Sequence, residues 1–297
     1  MTTDQNPATD LTLAQRYTAV RERVARAAER SGRRASDILL VAVTKFADPS
    51  DIRELIALGH RDFGENRVQN MIQRVAMVEE FLTRSRALSA VGGLSAPNLP
   101  SADEVRWHMI GTLQRNKVKK IIDSSRLIHS VDNLRLAEEI HAVAVRRERP
   151  VEVLLQVNCS GEPQKSGIAP AAAIALAEQM ETMVNVRLRG VMTMAALSDN
   201  PEDSRGAFGR LRELFEEMEK CSFADGRFNI LSMGMSNDFE VAIEEGSNLV
   251  RVGSAIFGER EMTDEPDEDS ASASDAEDEE GLPFGEVEIK RNERAPR

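Results

Sequence analysis

The segment "ILLVAVTKFADPSD" at residues 38–51 is a short apolar run that ends on Thr44 and Lys45, with a turn and a proline directly after it. A run of this length bounded by turn residues reads as a buried strand. Asp48 and Pro49 then supply an N-cap and a first-turn proline, so a helix is expected to follow. The rhythm repeats along the chain. Strand-like runs fall at 38–45, 61–66, 105–111, 127–132, 151–158, 188–195, 229–235 and 249–257. Between them lie helix-like stretches such as "DNLRLAEEIHAVAVRRE" and "PEDSRGAFGRLRELFEEMEK". A further helix precedes the first strand, with Leu13, Tyr17, Val20, Val24 and Ala28 on one stripe and Gly32 at its end. Eight short buried strands alternating with helices predict a parallel sheet covered by helices. Eight strands also close a (β/α)8 TIM barrel, whose usual size of about 250 residues matches 11–260. An open doubly wound sheet would call for a Gly-rich phosphate turn after an early strand, and none follows residue 45. The expected architecture is a single-domain α/β barrel.

The flanks read differently. Residues 1–10 are a loose polar start. Residues 84–104, "RSRALSAVGGLSAPNLPSADE", are rich in Ser, Ala, Gly and Pro and read as a flexible surface loop before the third strand. The net charge of -12 is concentrated at the end, where residues 261–297 hold 14 acidic and 4 basic side chains. From 261 to 280 there are 11 carboxylates and no base, a composition expected to stay disordered. The rest of the chain is nearly neutral, which gives no electrostatic footprint for nucleic acid. No apolar run is long enough to cross a bilayer, and no leader-like start precedes the first helix. Cys159 and Cys221 form no disulfide framework, and His60, His108, His129 and His141 form no metal-binding pair. A cytoplasmic protein without a metal site is expected.

Barrel active sites form at the C-terminal ends of the strands. That rule places Lys45 at the mouth end of strand one, Asn66 after strand two and His108 in strand three, all three as candidate cofactor-binding residues. By itself Lys45 is a surface lysine. Enclosed by apolar barrel residues, it becomes an amine nucleophile for a carbonyl compound. Strand seven runs into "SMGMSND" and strand eight into "VRVGSAIFG", the two loops that commonly hold phosphate in this fold. Gly253 and Ser254 offer N–H groups at a helix start, and Arg251 adds a fixed cation. Either loop alone reads equally well as an ordinary turn. Together, an aldehyde-reactive lysine and a phosphate cradle suggest pyridoxal 5'-phosphate.

The segments "AVTKF", "DFGENRVQ", "WHMIGTLQRNK", "IHSVDN", "LSMGMSNDFEVAIEEG" and "VRVGSAIFGER" resemble, in order, those of the pyridoxal-phosphate homeostasis protein family. The resemblance spans residues 11 to about 260. It implies a barrel of the alanine racemase N-terminal type (fold-type III among pyridoxal-phosphate proteins), with the cofactor as a Schiff base on Lys45. It further implies that Ser236, Gly253 and Ser254 cradle phosphate, that Arg251 lies near ring or phosphate, and that Asn66 lines the mouth. Lys165, in "NCSGEPQKSG", matches a surface lysine of interest, with an ordinary loop lysine as the plain alternative.

Racemisation needs an acid/base group on each face of the substrate. The related racemases take one from a tyrosine on a second, β-rich domain, whereas the sole tyrosine here is Tyr17, in the first helix. The expectation is a non-enzymatic carrier that holds pyridoxal phosphate for apoenzymes, acting as a monomer. Two alternatives stay open: a pyridoxal-phosphate enzyme of racemase or decarboxylase type, with His108 as a second base, and a cofactor-free Schiff-base lyase of a phosphosugar.

Overall fold

The computed structural model describes residues 11–90, 99–162, 165–221 and 223–258. The expected loose start at 1–10 and acidic tail at 261–297 lie outside these residues. The chain divides after Arg260, and the barrel belongs to the first unit.

Chain order is α1 (Leu13–Arg30), β1 (Leu39–Val43), α2 (Pro49–Ala57), β2 (Asp62–Glu65), α3 (Val68–Ala90), β3 (Arg106–Met109), α4 (Val118–Ile121), β4 (Ser125–Val131), α5 (Leu134–Arg146) and β5 (Val151–Gln156). It continues with α6 (Pro170–Glu181), β6 (Val186–Met192), α7 (Arg205–Glu219), the short distorted α8 (Phe223–Gly226), β7 (Ile230–Ser232), α9 (Phe239–Glu244), β8 (Leu249–Val252) and α10 (Ser254–Phe257). The eight strands pair in sequence order, every pair parallel, and β8 returns to β1. This is the expected closed barrel. One expectation is corrected: residues 84–90, read as loop, continue helix α3. Ala, Leu and Arg there are good helix formers, and no glycine or proline interrupts them before Gly92. The Gly-rich remainder of that loop, 91–98, lies outside the described residues.

The caps follow local chemistry. Thr12 and Gln15 form a reciprocal capping box on α1, and the Asn133 side chain accepts the Leu136 N–H at the start of α5. The helices that follow β7 and β8 have only six and four residues, too few to cover the sheet there. Helix α1 does so instead. It buries Leu13, Tyr17, Val20, Val24, Ala27 and Ala28, and its Arg23 and Arg30 pair with Glu240 and Glu244 of α9. Val41, Leu127, Leu154, Met192 and Leu249 make a separate small apolar cluster to which β1, β4, β5, β6 and β8 each contribute. Among the described residues no helix is long and apolar enough to cross a membrane.

Candidate functional site at the barrel mouth

Strand β1 ends at Val43 and passes into a 3-10 turn, Thr44–Phe46. Thr44 is fully buried, and its hydroxyl lies 2.5 Å from Glu65 Oε1. Arg74 of α3 locks the same corner: its Nε is 2.6 Å from Glu65 Oε1, and its Nη1 donates to the Ala47 carbonyl at 3.0 Å. Burial pushes the Glu65 carboxyl up, against the pull of Arg74 and of the Thr44 and Asn66 hydrogen bonds. This lock fixes the backbone on both sides of Lys45. Lys45 itself is exposed, with Nζ 4.5 Å from the centre of the Phe46 ring. The expected apolar enclosure of the lysine is therefore absent, because the chain has left the strand and turned outward before residue 45.

Strand pairing brings the neighbouring residues to this corner. Val43 lies opposite Gly64, and Ala42 opposite Val252. Lys45, Asn66 and the Gly253–Ser254 step thus follow adjacent strand ends, and α10 packs on the Lys45 turn. Asn66 is half-buried, and its Oδ1 is a buried oxygen without a hydrogen-bond partner. Gly111 is required beside it: a Cβ there would sit 2.1 Å from the Asn66 carbonyl oxygen.

The turn after β7 is built around Gly234, at φ +98. A Cβ at that position would lie 2.6 Å from Ala242 Cβ and 2.8 Å from Phe239 Cα. Buried Asp238 closes the turn by accepting the Met235 N–H at 2.6 Å and the Ser204 hydroxyl at 3.1 Å. Arg251 N donates to the Gly234 carbonyl, which ties the turn to β8. The Ser236 hydroxyl is thereby carried to the start of α10, where it accepts the N–H groups of Gly253 at 3.2 Å and Ala255 at 3.3 Å. The amide donors of Gly253 and Ala255 thus converge on the Ser236 hydroxyl oxygen, with Ser254 between them in the chain.

Arg251 and His108 lie deeper. Residues i and i+2 share a strand face, so Arg251 sits beneath Gly253. It is 3% exposed; its Nη1 donates to Ser232 Oγ at 2.5 Å and its Nη2 to the Thr193 carbonyl at 2.9 Å. Among the described residues no carboxylate lies within ion-pair distance of it, although the Asp238 charge supports it from further away. Burial lowers its pKa to about 10, still a cation at neutral pH. His108 is 2% exposed, and both ring nitrogens are engaged, by Asp62 and by His129. It is not a free base at the mouth. Lys165, in the loop after β5, pairs with Glu162 at 3.2 Å. Tyr17 bonds His60, two residues before β2 begins, at the end of the barrel opposite Lys45.

Thr44, Glu65 and Arg74, and the inward Asp62, His129 and Ser232, were not singled out from the sequence. The available signal was a polar residue inside an otherwise apolar strand, as in "DFGE" and "LIHSV".

His60 gives a pH test of the packing. Its Nε2 donates to the Asp62 carbonyl and its Nδ1 accepts the Tyr17 hydroxyl, which requires the neutral ring. Burial lowers its pKa to about 4, against about 6.5 unfolded. The unfolded chain therefore takes up the proton first. The contribution is complete above pH 6.5 and is lost as pH falls toward 4, by roughly 2–3 kcal/mol. Urea midpoints at pH 7.5 and 4.5 should differ by more in the wild type than in His60→Gln. An equal fall in both would refute the assignment.

Residues 16–261 match the family model for the alanine racemase N-terminal domain. A pyridoxal phosphate homeostasis protein of Aquifex aeolicus is 39% identical over 250 residues, covering 83% of this chain and 97% of the relative. The solved structure of PipY from Synechococcus elongatus with PLP bound is 30% identical, with a TM-score of 0.64, and covers 83% of this chain and all of that one. An alanine racemase of Clostridium difficile, 14% identical with a TM-score of 0.58, shares the fold; the match covers 85% of this chain and 58% of the racemase.

Proposed function

We propose, from the premise that this chain belongs to the pyridoxal phosphate homeostasis protein family, that it is a non-catalytic carrier of pyridoxal 5'-phosphate held covalently on Lys45. The bound group would supply a reactive aldehyde and a phosphate. The observation that carries the reading is the meeting of an exposed lysine, at the end of β1, with the amide cluster at the end of β8. Two further features fit the same group. Asn66 Oδ1 is a buried acceptor in want of a donor, and Arg251 is a buried cation with no carboxylate in direct contact among the described residues.

In this reading Lys45 captures the aldehyde carbon, and the Thr44–Glu65–Arg74 lock holds the turn that presents it. Ser236 and the N–H groups of Gly253 and Ser254 take the phosphate. Arg251 offers its charge to the ring or phosphate from below, and Asn66 orients the group at the rim. The acid/base inventory favours a carrier over an enzyme: Tyr17 is at the far end of the barrel, and His108 is committed on both nitrogens. Pyridoxal-phosphate apoenzymes are the natural recipients, and a monomer suffices because one chain supplies every group named.

The test is purified protein incubated with pyridoxal 5'-phosphate. A visible absorbance band should form, and steady-state assays with amino acids should show no turnover. Measurable turnover would make it an enzyme, and no band would remove the cofactor. Ser236→Ala should weaken pyridoxal 5'-phosphate by about tenfold, the loss of one hydrogen bond to a charged group. Pyridoxal, which has no phosphate, should be affected much less. Equal weakening of both ligands would move the phosphate away from this cluster.

A further inference from the structure

Six side chains from five strands make one continuous chain through the barrel. Arg106 donates to the Asp62 carboxylate through Nε at 2.7 Å and Nη2 at 2.5 Å. Asp62 Oδ1 is 3.2 Å from His108 Nε2, and His108 Nδ1 is 3.0 Å from His129 Nε2. His129 Nδ1 is 3.3 Å from Ser232 Oγ, which accepts from Arg251. Strands β4 and β7 are not neighbours in the sheet, so the His129–Ser232 contact crosses the barrel interior.

The chemistry of its two ends fixes the chain's direction. Although desolvation opposes it, hydrogen bonds from Arg106 and His108 lower the Asp62 pKa to about 2. As a carboxylate it can only accept, so His108 Nε2 carries a hydrogen. A ring whose single hydrogen is on Nε2 accepts at Nδ1, and in that arrangement His129 donates from Nε2. Burial above all lowers the His129 pKa well below its usual value, and the neutral ring accepts at Nδ1. Ser232 must supply that hydrogen, and its oxygen is left to accept from Arg251, which can only donate. Each link has one donor and one acceptor.

We propose that Asp62 is a positioning residue for Arg251, acting through His108 and His129 as their Nε2–H tautomers and through Ser232. This rests on the reading of Arg251 as a cofactor contact. The carboxylate sets the tautomer of one ring, that ring sets the next, and the serine hydroxyl is turned so that its oxygen faces the guanidinium. A wrong tautomer at any step would present Ser232 with a second donor and weaken its hold on Arg251.

Nitrogen-15 spectra of histidine-labelled full-length protein, recorded without ligand, should show His108 and His129 protonated on Nε2 and not on Nδ1. Ser232→Ala should weaken pyridoxal 5'-phosphate by about tenfold while leaving the His108 tautomer unchanged, and Ser232→Thr should restore binding. Asp62→Ala should mix the tautomers and cost a similar factor; if it does not fold, the two Ser232 variants carry the test. A hydrogen on Nδ1 of either ring, or unchanged binding in Ser232→Ala, would overturn the proposal. Failure of the wild type to bind pyridoxal 5'-phosphate would instead sink the carrier reading, while the spectra would still decide the direction of the chain.

Discussion

Borohydride reduction of the protein after incubation with pyridoxal 5'-phosphate should leave a pyridoxyl group on the peptide containing Lys45, and Lys45→Ala should leave that label nowhere. The chain has seven lysines, so the outcome discriminates. Lys45 differs from the other six in place rather than in kind. It stands at the end of β1, beside the amide cluster of Gly253 and Ser236, on a turn fixed by buried Thr44, Glu65 and Arg74. Covalent capture depends on holding amine and aldehyde together, and a fixed turn beside the proposed phosphate cradle would supply that proximity. Removal of Lys45 deletes the nucleophile entirely and leaves only the phosphate contacts. Peptide mass analysis reads the result directly. Label found chiefly on Lys165 or another lysine, with Lys45→Ala retaining its full share, would overturn the assignment.

Gly190→Ala should abolish the folded barrel. A Cβ at residue 190 would lie 1.8 Å from the Ile230 carbonyl oxygen and 2.6 Å from its carbon. These are backbone atoms of the adjacent strand, so no rotamer change can make room. The φ of +156 adds a conformation that side-chain-bearing residues rarely adopt. The next seam is thin as well: β7 has three residues, and a single register pair joins it to β8. Pushing β6 away from β7 opens a barrel whose closure every strand depends on, at a cost of at least about 4 kcal/mol, the range of severe core defects. Gly161→Ala is the comparison. It also has a positive φ, +80, but its Cβ would meet nothing within 4 Å, so a loss of about 1–2 kcal/mol is expected. Thermal unfolding of the two variants side by side checks the ranking. A folded Gly190→Ala with a near-normal melting temperature would contradict this account.

Strand and helix identity were legible because they are written locally. All eight strands fall within the expected runs or within two residues of them, since a buried parallel strand needs a short apolar stretch and a turn. The loop at 84–104 was misread at its start because Ser and Ala serve loops and helices alike, and α3 keeps its helical hydrogen bonding to Ala90. Site residues divided in the same way. Ser236, Gly253 and Asn66 could be placed from their order after particular strands, because the barrel rule sends every strand end to one face. His108 could be named but not given its role, since the depth of a side chain in the barrel depends on strand tilt and register.

The sequence by itself determined a closed eight-stranded barrel and the one face to which Lys45, Asn66 and the Gly253–Ser254 step are brought. Each follows from periodicity and strand count, which are properties of short segments. Only the tertiary structure decided that Lys45 is exposed on a locked turn rather than enclosed, and that α1 covers the gap left by short α9 and α10. It also decided that histidines of β3 and β4 connect Asp62 of β2 to Arg251 of β8. These facts rest on which inward side chains meet across a curved sheet, and residues 62, 108, 129, 232 and 251 become neighbours only when the barrel closes.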